Sequence, residues 1–132
     1  MFKPAAVFST FAVPDIEAAR RFYGETLGLD VRDDANGMGM LQLGLGNGAN
    51  VTIYPKPDHK PAVFTILNFV VPDIEAAVTA LTESGVKMQR YDMDGGMEPD
   101  TKGIYRGQGP AIAWFTDPAG NILAVIEQSS GS

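Results

Sequence analysis

Apolar and polar positions follow two periods along this chain, and the same succession of periods occurs twice. Ala5 to Val13 alternates and is rich in Val, Phe and Thr, which predicts a strand. Ile16, Ala19, Phe22 and Tyr23 then share one helical face, and Gly24 to Gly28 predicts where that helix stops. A short strand is expected over Leu29 to Arg32. Another is expected over Met38 to Leu45, with Leu41, Leu43 and Leu45 on one face and Met40, Gln42 and Gly44 on the other. Gly46-Asn47-Gly48 turns the chain into a strand over Asn50 to Tyr54. After Pro55-Lys56-Pro57-Asp58-His59-Lys60-Pro61, read as a stiff unpaired linker, the order repeats. Ala62 to Val71 reads as a strand, and Ile74 to Glu83 as a helix burying Ile74, Ala77 and Leu81, closed by Ser84-Gly85. Val86 to Tyr91 is a further expected strand. Asp92 to Gly109 reads as a long irregular loop, of the kind that serves as a lid. Strands over Ala111 to Phe115 and Ile122 to Glu127 follow, joined at Asp117-Pro118-Ala119-Gly120-Asn121, and Gln128 to Ser132 forms a frayed tail.

The repeat is literal at its centre. Val13-Pro14-Asp15-Ile16-Glu17-Ala18-Ala19 recurs unchanged as Val71-Pro72-Asp73-Ile74-Glu75-Ala76-Ala77. Its chemistry is that of a strand running straight into a helix. Pro presets the entry, Asp accepts bonds from the free amides of the first turn, and Glu complements the helix dipole. The chain therefore reads as an α+β fold of two tandem βαβββ modules, a curved mixed sheet around a cup with helices outside. Residues 1–132 are expected to form a single domain: module one over 1–54, the linker over 55–61, module two over 62–128 and the tail over 129–132.

Composition narrows the functions. Apolar residues make up 45% and charged residues 20%, as in an ordinary globular domain. A net charge of −6 argues against nucleic acid or an anionic membrane as partner. With no cysteine, disulfides, thiolate zinc sites and thiol nucleophiles are excluded. No apolar run approaches the roughly 20 residues of a membrane span, and Met1 to Ala5 lacks the apolar core of a signal peptide. A cytoplasmic protein is the expectation.

The strand leading into Val-Pro-Asp-Ile-Glu-Ala-Ala, followed by Phe22-Tyr23 and Leu27-Gly28-Leu29, resembles the vicinal oxygen chelate superfamily of glyoxalases, bleomycin-resistance proteins and extradiol dioxygenases. Trp114-Phe115-Thr116-Asp117-Pro118-Ala119-Gly120-Asn121-Ile122-Leu123 is similar to its closing motif. The resemblance implies a metal held by inward residues of the first and last strands of each module, at positions that here are Phe8, Thr52, Ile66 and Ala124. Phe, Ile and Ala offer no donor and Thr only a weak neutral one, so no metal and no other cofactor is expected. His59, the only histidine, falls in the linker and reads as an exposed polar residue.

The register that places those positions also names their neighbours. The inward face becomes Phe8, Thr10, Ala12, Met40, Gln42, Thr52, Tyr54, Ile66, Asn68, Ile112, Trp114, Ile122, Ala124 and Ile126. It carries no charge and mixes aromatic, aliphatic and neutral polar groups, as a small-molecule pocket does. The opposite face, with Val7, Phe11, Val13, Leu41, Leu43, Leu67, Phe69, Val71, Ala113, Phe115, Leu123 and Val125, is apolar except for Ser9 and suits burial under helices. The candidate ligand residues are Phe8, Thr10, Met40, Gln42, Thr52, Tyr54, Asn68, Ile112 and Trp114, with Tyr105 and Arg106 placed to fold over from the loop.

Other candidates read as structural. Gly44 to Gly48 is a turn and not a phosphate loop, since no helix start and no lysine follow it. Asp117 belongs to a turn, and Asp92, Asp94, Glu98 and Asp100 to a solvated surface. The function implied is metal-independent binding of a hydrophobic or aromatic small molecule by a homodimer. Two alternatives stand beside it. One is an enzyme of glyoxalase or dioxygenase type in the same cup, with Tyr54, Tyr105 or a loop carboxylate as acid or base. The other is an interaction module without a ligand.

Overall fold

The heptapeptide does in space what its residues dictate. In the computed structural model, which describes residues 2–33, 37, 39–45, 50–91, 97–107 and 109–128, strand β1 (Ser9–Val13) ends at Val13, and helix α1 (Ile16–Arg21) starts after Asp15. The Asp15 carboxylate accepts from the amides of Glu17 and Ala18, both at 3.1 Å. Strand β5 (Thr65–Val71) leads into α2 (Ile74–Glu83) in the same way, and Asp73 accepts from the Ala76 amide at 3.2 Å. The second helix gains another cap, because Glu127 on the last strand accepts from the Ile74 amide at 3.1 Å. A carboxylate cap of this kind contributes about 1 kcal/mol.

The chain divides into two compact units, Met1–Lys60 and Pro61–Ser132. The first holds β1, α1, β2 (Asp30–Asp33), β3 (Leu41–Gly44) and β4 (Asn50–Pro55) in a sheet of order β1-β4-β3-β2, with β1 parallel to β4 and the other pairs antiparallel. The second holds β5, α2, β6 (Ile112–Thr116) and β7 (Ile122–Glu127) in the order β5-β7-β6. The class is α+β, as the periodicity requires. Each sheet has one buried face: Leu41, Leu43, Val51 and Ile53 in the first, and Ala113, Phe115, Leu123 and Val125 in the second. Helix α1 packs on β4 and α2 on β7. Ala19 and Tyr23 from the first helical stretch, and Ile74 and Val78 from α2, fill those layers.

Several expectations change. The first helical stretch ends within Gly24 to Gly28, as expected, but its last turn widens into a π turn, Phe22–Thr26, closed by the Leu27 amide on the Phe22 carbonyl at 2.9 Å. Beside this turn, Gly24 packs against Val31 of β2. Pro55 is not outside the sheet. It ends β4 opposite Val13, and Lys56 supplies the N–H that proline lacks, donating to the Val13 carbonyl at 2.8 Å. Val7 belongs to no buried layer: pairing begins only at Ser9, and Val7 is 76% exposed. His59 is half-buried rather than exposed.

The strand expected over Val86 to Tyr91 is reduced to one bridge, Gln89 with Trp114. A side chain replaces the missing ladder: the Tyr105 hydroxyl accepts from the Tyr91 amide at 2.6 Å and donates to the Tyr91 carbonyl at 3.1 Å. The stretch 97–107 is likewise no open lid. Asp100 accepts from the amides of Lys102 and Ile104, both at 2.9 Å, and Pro99 and Ile112 each bridge to Tyr105. Desolvation pushes the Asp100 carboxyl up, but those amide donors outweigh it and hold it below the ordinary carboxylate range. Gly103, at φ +93°, lies under this turn where a Cβ would meet that of Met88 at 2.9 Å, so no other residue fits. Asp92, Asp94 and the rest of 92–96, residue 108, and the turn and tail expected within 46–49 and 129–132 lie outside the described residues.

The β6–β7 turn is structural, as its spacing implies. Asp117 is buried and accepts from the amides of Ala119 and Asn121 and from the Asn121 side chain, each at 2.9 Å. Asp117→Ala removes these acceptors from buried donors and should lower stability by about 2–3 kcal/mol, read as a drop in the urea midpoint without a change in slope.

Candidate ligand-binding face

Strand register assembles the uncovered face of the first sheet in rows. Thr10 pairs with Thr52, Thr52 with Gln42, and Gln42 with Arg32, so these side chains share one face across all the strands of the sheet. Asn50, Gly44 and Asp30 form the next row. Phe8, just before β1, completes the wall. All of them except Thr10 line a groove of about 360 Å³, open to solvent. Gly44 keeps its floor clear, since a Cβ there would meet the Asp30 carboxylate at 2.9 Å.

This face is not free of charge, contrary to expectation. Arg32 donates through Nε to Asp30 at 3.0 Å and pairs through Nη2 at 2.9 Å, an exposed pair at one end of the groove. The sequence carried the signal: with Val31 turned to the helix side, alternation sends Asp30 and Arg32 to the open side. Phe8 is 63% exposed, and such a large apolar side chain left uncovered by its own chain favours contact with something else. Met40 and Tyr54 are half-buried, and Thr10 and Gln42 are exposed.

The second sheet's open face is built differently. Asn68, Ala124 and Trp114 form one row, extended by Gln89. Trp114 is half-buried with Tyr91 and Tyr105 edge-on to it, ring centroids at 5.8 Å and 5.1 Å. Its indole N–H donates to the Thr65 hydroxyl at 2.9 Å. Strict alternation sends Thr65 to the helix side, but the register shifts between Thr65 and Leu67, so a bulge at Ile66 returns Thr65 to the open face. Tyr105 does not close over a ligand from a lid; it is fully buried beneath this cluster. Burial, then the neighbouring Tyr105, pushes the Tyr91 phenol above its ordinary value. Arg106 turns outward to Glu75 at 3.0 Å. Ile112 is half-buried and Asn68 exposed.

A divalent metal does not fit these positions. Phe8 and Thr52 line the groove, Ile66 sits in the bulge, and Ala124 pairs with Asn68. None supplies a strong donor. The groove's carboxylate, Asp30, is held by Arg32, and among the described residues no three His, Cys, Asp or Glu side chains converge.

The model of the Glyoxalase/Bleomycin resistance protein/Dioxygenase superfamily matches residues 6–125. No curated protein matches the sequence significantly. Among solved structures, TnmS3, an antibiotic binding protein from Streptomyces sp. CB03234, shares 25% identity at a TM-score of 0.69, covering 97% of this chain and 100% of its own. A glyoxalase/bleomycin resistance protein from the same organism shares 27% identity at a TM-score of 0.62, covering 91% of this chain and 99% of its own. A member of the superfamily from Sphaerobacter thermophilus shares 26% identity at a TM-score of 0.67, covering 95% and 98%.

Tyr105→Phe removes the hydroxyl that joins both backbone groups of Tyr91 while keeping the ring against Trp114. It should lower stability by about 1–2 kcal/mol and speed exchange of the Tyr91 amide, measured by hydrogen exchange, with little change in Trp114 emission.

Proposed function

The chain belongs to the Glyoxalase/Bleomycin resistance protein/Dioxygenase superfamily, and from that premise we propose that it is a cytoplasmic, metal-independent protein that binds a hydrophobic or aromatic small molecule. The observation that carries this reading is the groove on the open face of the first sheet. Two of the positions at which relatives would hold a metal are there occupied by Phe8 and Thr52, beside Gln42 and Asn50. The Phe8 ring beside these neutral donors and acceptors, with Arg32 and Asp30 paired to each other, suits an uncharged ring system bearing a few polar substituents. The likeness to an antibiotic binding protein supports a small molecule as the ligand.

Magnitudes decide what such a site needs. An aromatic ligand burying on the order of 200 Å² of apolar surface gains roughly 5 kcal/mol. Lost translational freedom consumes at least about 4 kcal/mol. Contact with Phe8 alone therefore gives weak binding, and useful affinity comes from hydrogen bonds to Gln42, Thr52 or Asn50.

We also propose a homodimer. Strands β1 and β5 end their sheets, and Phe2, Val7, Val63, Phe64 and Val70 near them are exposed apolar side chains. Light scattering should give twice the chain mass at micromolar concentration, and a monomer throughout the millimolar range contradicts the assembly.

For the ligand, calorimetric titration with neutral aromatics such as naphthol, indole and flavone is the test. Phe8→Ala and Gln42→Ala should each weaken the tightest binder about five- to tenfold while leaving the urea midpoint in place. Binding unchanged by both substitutions removes the groove as the site.

A further inference from the structure

The second unit holds a groove of its own on the opposite side of its fold from Trp114's row. It runs between α2 and the 86–90 and 101–102 segments and encloses about 460 Å³. Its floor is apolar, made by Val78, Val86 and Met88. Its rim is cationic: Lys87, Arg90 and Lys102 face a single lining carboxylate, Glu83. In a chain of net charge −6, three cations gathered on one groove stand against the general trend.

The cations are not equivalent. Lys102 is engaged, its ammonium 3.1 Å from Glu75 and donating to the Thr79 hydroxyl at 3.2 Å, so it closes one end. Arg90 is anchored, and among the described residues it has no ion pair. One guanidinium nitrogen donates to the Thr101 carbonyl at 3.1 Å, which fixes the fork at the rim and leaves its other N–H groups for a further acceptor. Lys87 is exposed, and its ammonium has no ion pair among the described residues. The geometry points to a binding site for a small organic anion, with an apolar body on Val78, Val86 and Met88 and a carboxylate, sulfonate or phosphate held by Arg90 and Lys87. This site is independent of the first unit's groove, where the lining cation Arg32 is already paired with Asp30.

The probe is 1-naphthalenesulfonate, titrated into the full-length ¹⁵N-labelled protein and followed by amide chemical shifts, with 1-naphthol as its uncharged counterpart. The sulfonate should shift the Thr79, Val86, Met88 and Thr101 amides in a saturable way, and 1-naphthol should bind there at least tenfold more weakly. Lys87→Gln and Arg90→Gln should each raise the sulfonate Kd about five- to tenfold, and Arg90→Lys should recover part of the loss. Because Arg90→Gln also frees the Thr101 carbonyl, Lys87→Gln keeps the test sound if the first variant loosens the turn. Shifts confined to Phe8, Gln42 and Thr52, equal affinity for the sulfonate and naphthol read at the Val86, Met88 and Thr101 amides, or a Kd unmoved by Lys87→Gln overturns the proposal.

Discussion

Everything in this protein follows from a strand that becomes a helix within two residues. Val13-Pro14-Asp15 and Val71-Pro72-Asp73 leave no slack between β1 and α1 or between β5 and α2, and the Asp carboxylates hold each first turn in place. A helix tied so closely to its strand lies back over one face of its own sheet. That face must then be apolar, and the other is left uncovered. Leu41, Leu43, Val51 and Ile53 meet the first demand in one unit, and Ala113, Phe115, Leu123 and Val125 in the other. The uncovered faces are released from packing, and their residues are available for chemistry.

The two units use that release differently. The first leaves its open face unfilled: Gly44 has no side chain, Phe8 stands exposed, and Gln42 and Thr52 present neutral polar groups. The second fills part of its face with Trp114, braced by Tyr91, Tyr105 and the Thr65 hydroxyl. A literal repeat of sequence has thus produced one unit with a groove on the sheet and one with an aromatic cluster there. The second unit's groove lies instead beside its helix and carries the opposite chemistry, an apolar floor under cations.

The fold was legible because its signals are local. The heptapeptide, the alternation of Leu41 to Gly44 and the turn at Asp117 each act over a few residues, and each element appears. What was not legible depended on long-range partners. The Tyr105 hydroxyl displaces a strand ladder at Tyr91, and no period in Val86 to Tyr91 announces a side chain fourteen residues away. The bulge at Ile66 moved Thr65 to the open face, which strict alternation cannot foresee. The groove residues Phe8, Gln42 and Thr52 were legible from register, while Thr10, on the same face, lies outside the groove. Asp30 and Arg32 were equally legible by the same alternation, and their charge is the main revision to that face. Tyr105 was misplaced because a stretch rich in Gly and Pro suggested a mobile lid, whereas Asp100 and Gly103 make it a tight turn over the core.

The central proposal is that the open face of the first sheet, walled by Phe8 and carrying Gln42 and Thr52, binds its ligand without a metal. Elemental analysis of the protein purified natively, without chelator, tests it most directly. The account predicts zinc, nickel, iron and manganese each well below one equivalent per chain. About one equivalent of any of them, retained through dialysis and lost on Thr52→Val, would contradict it.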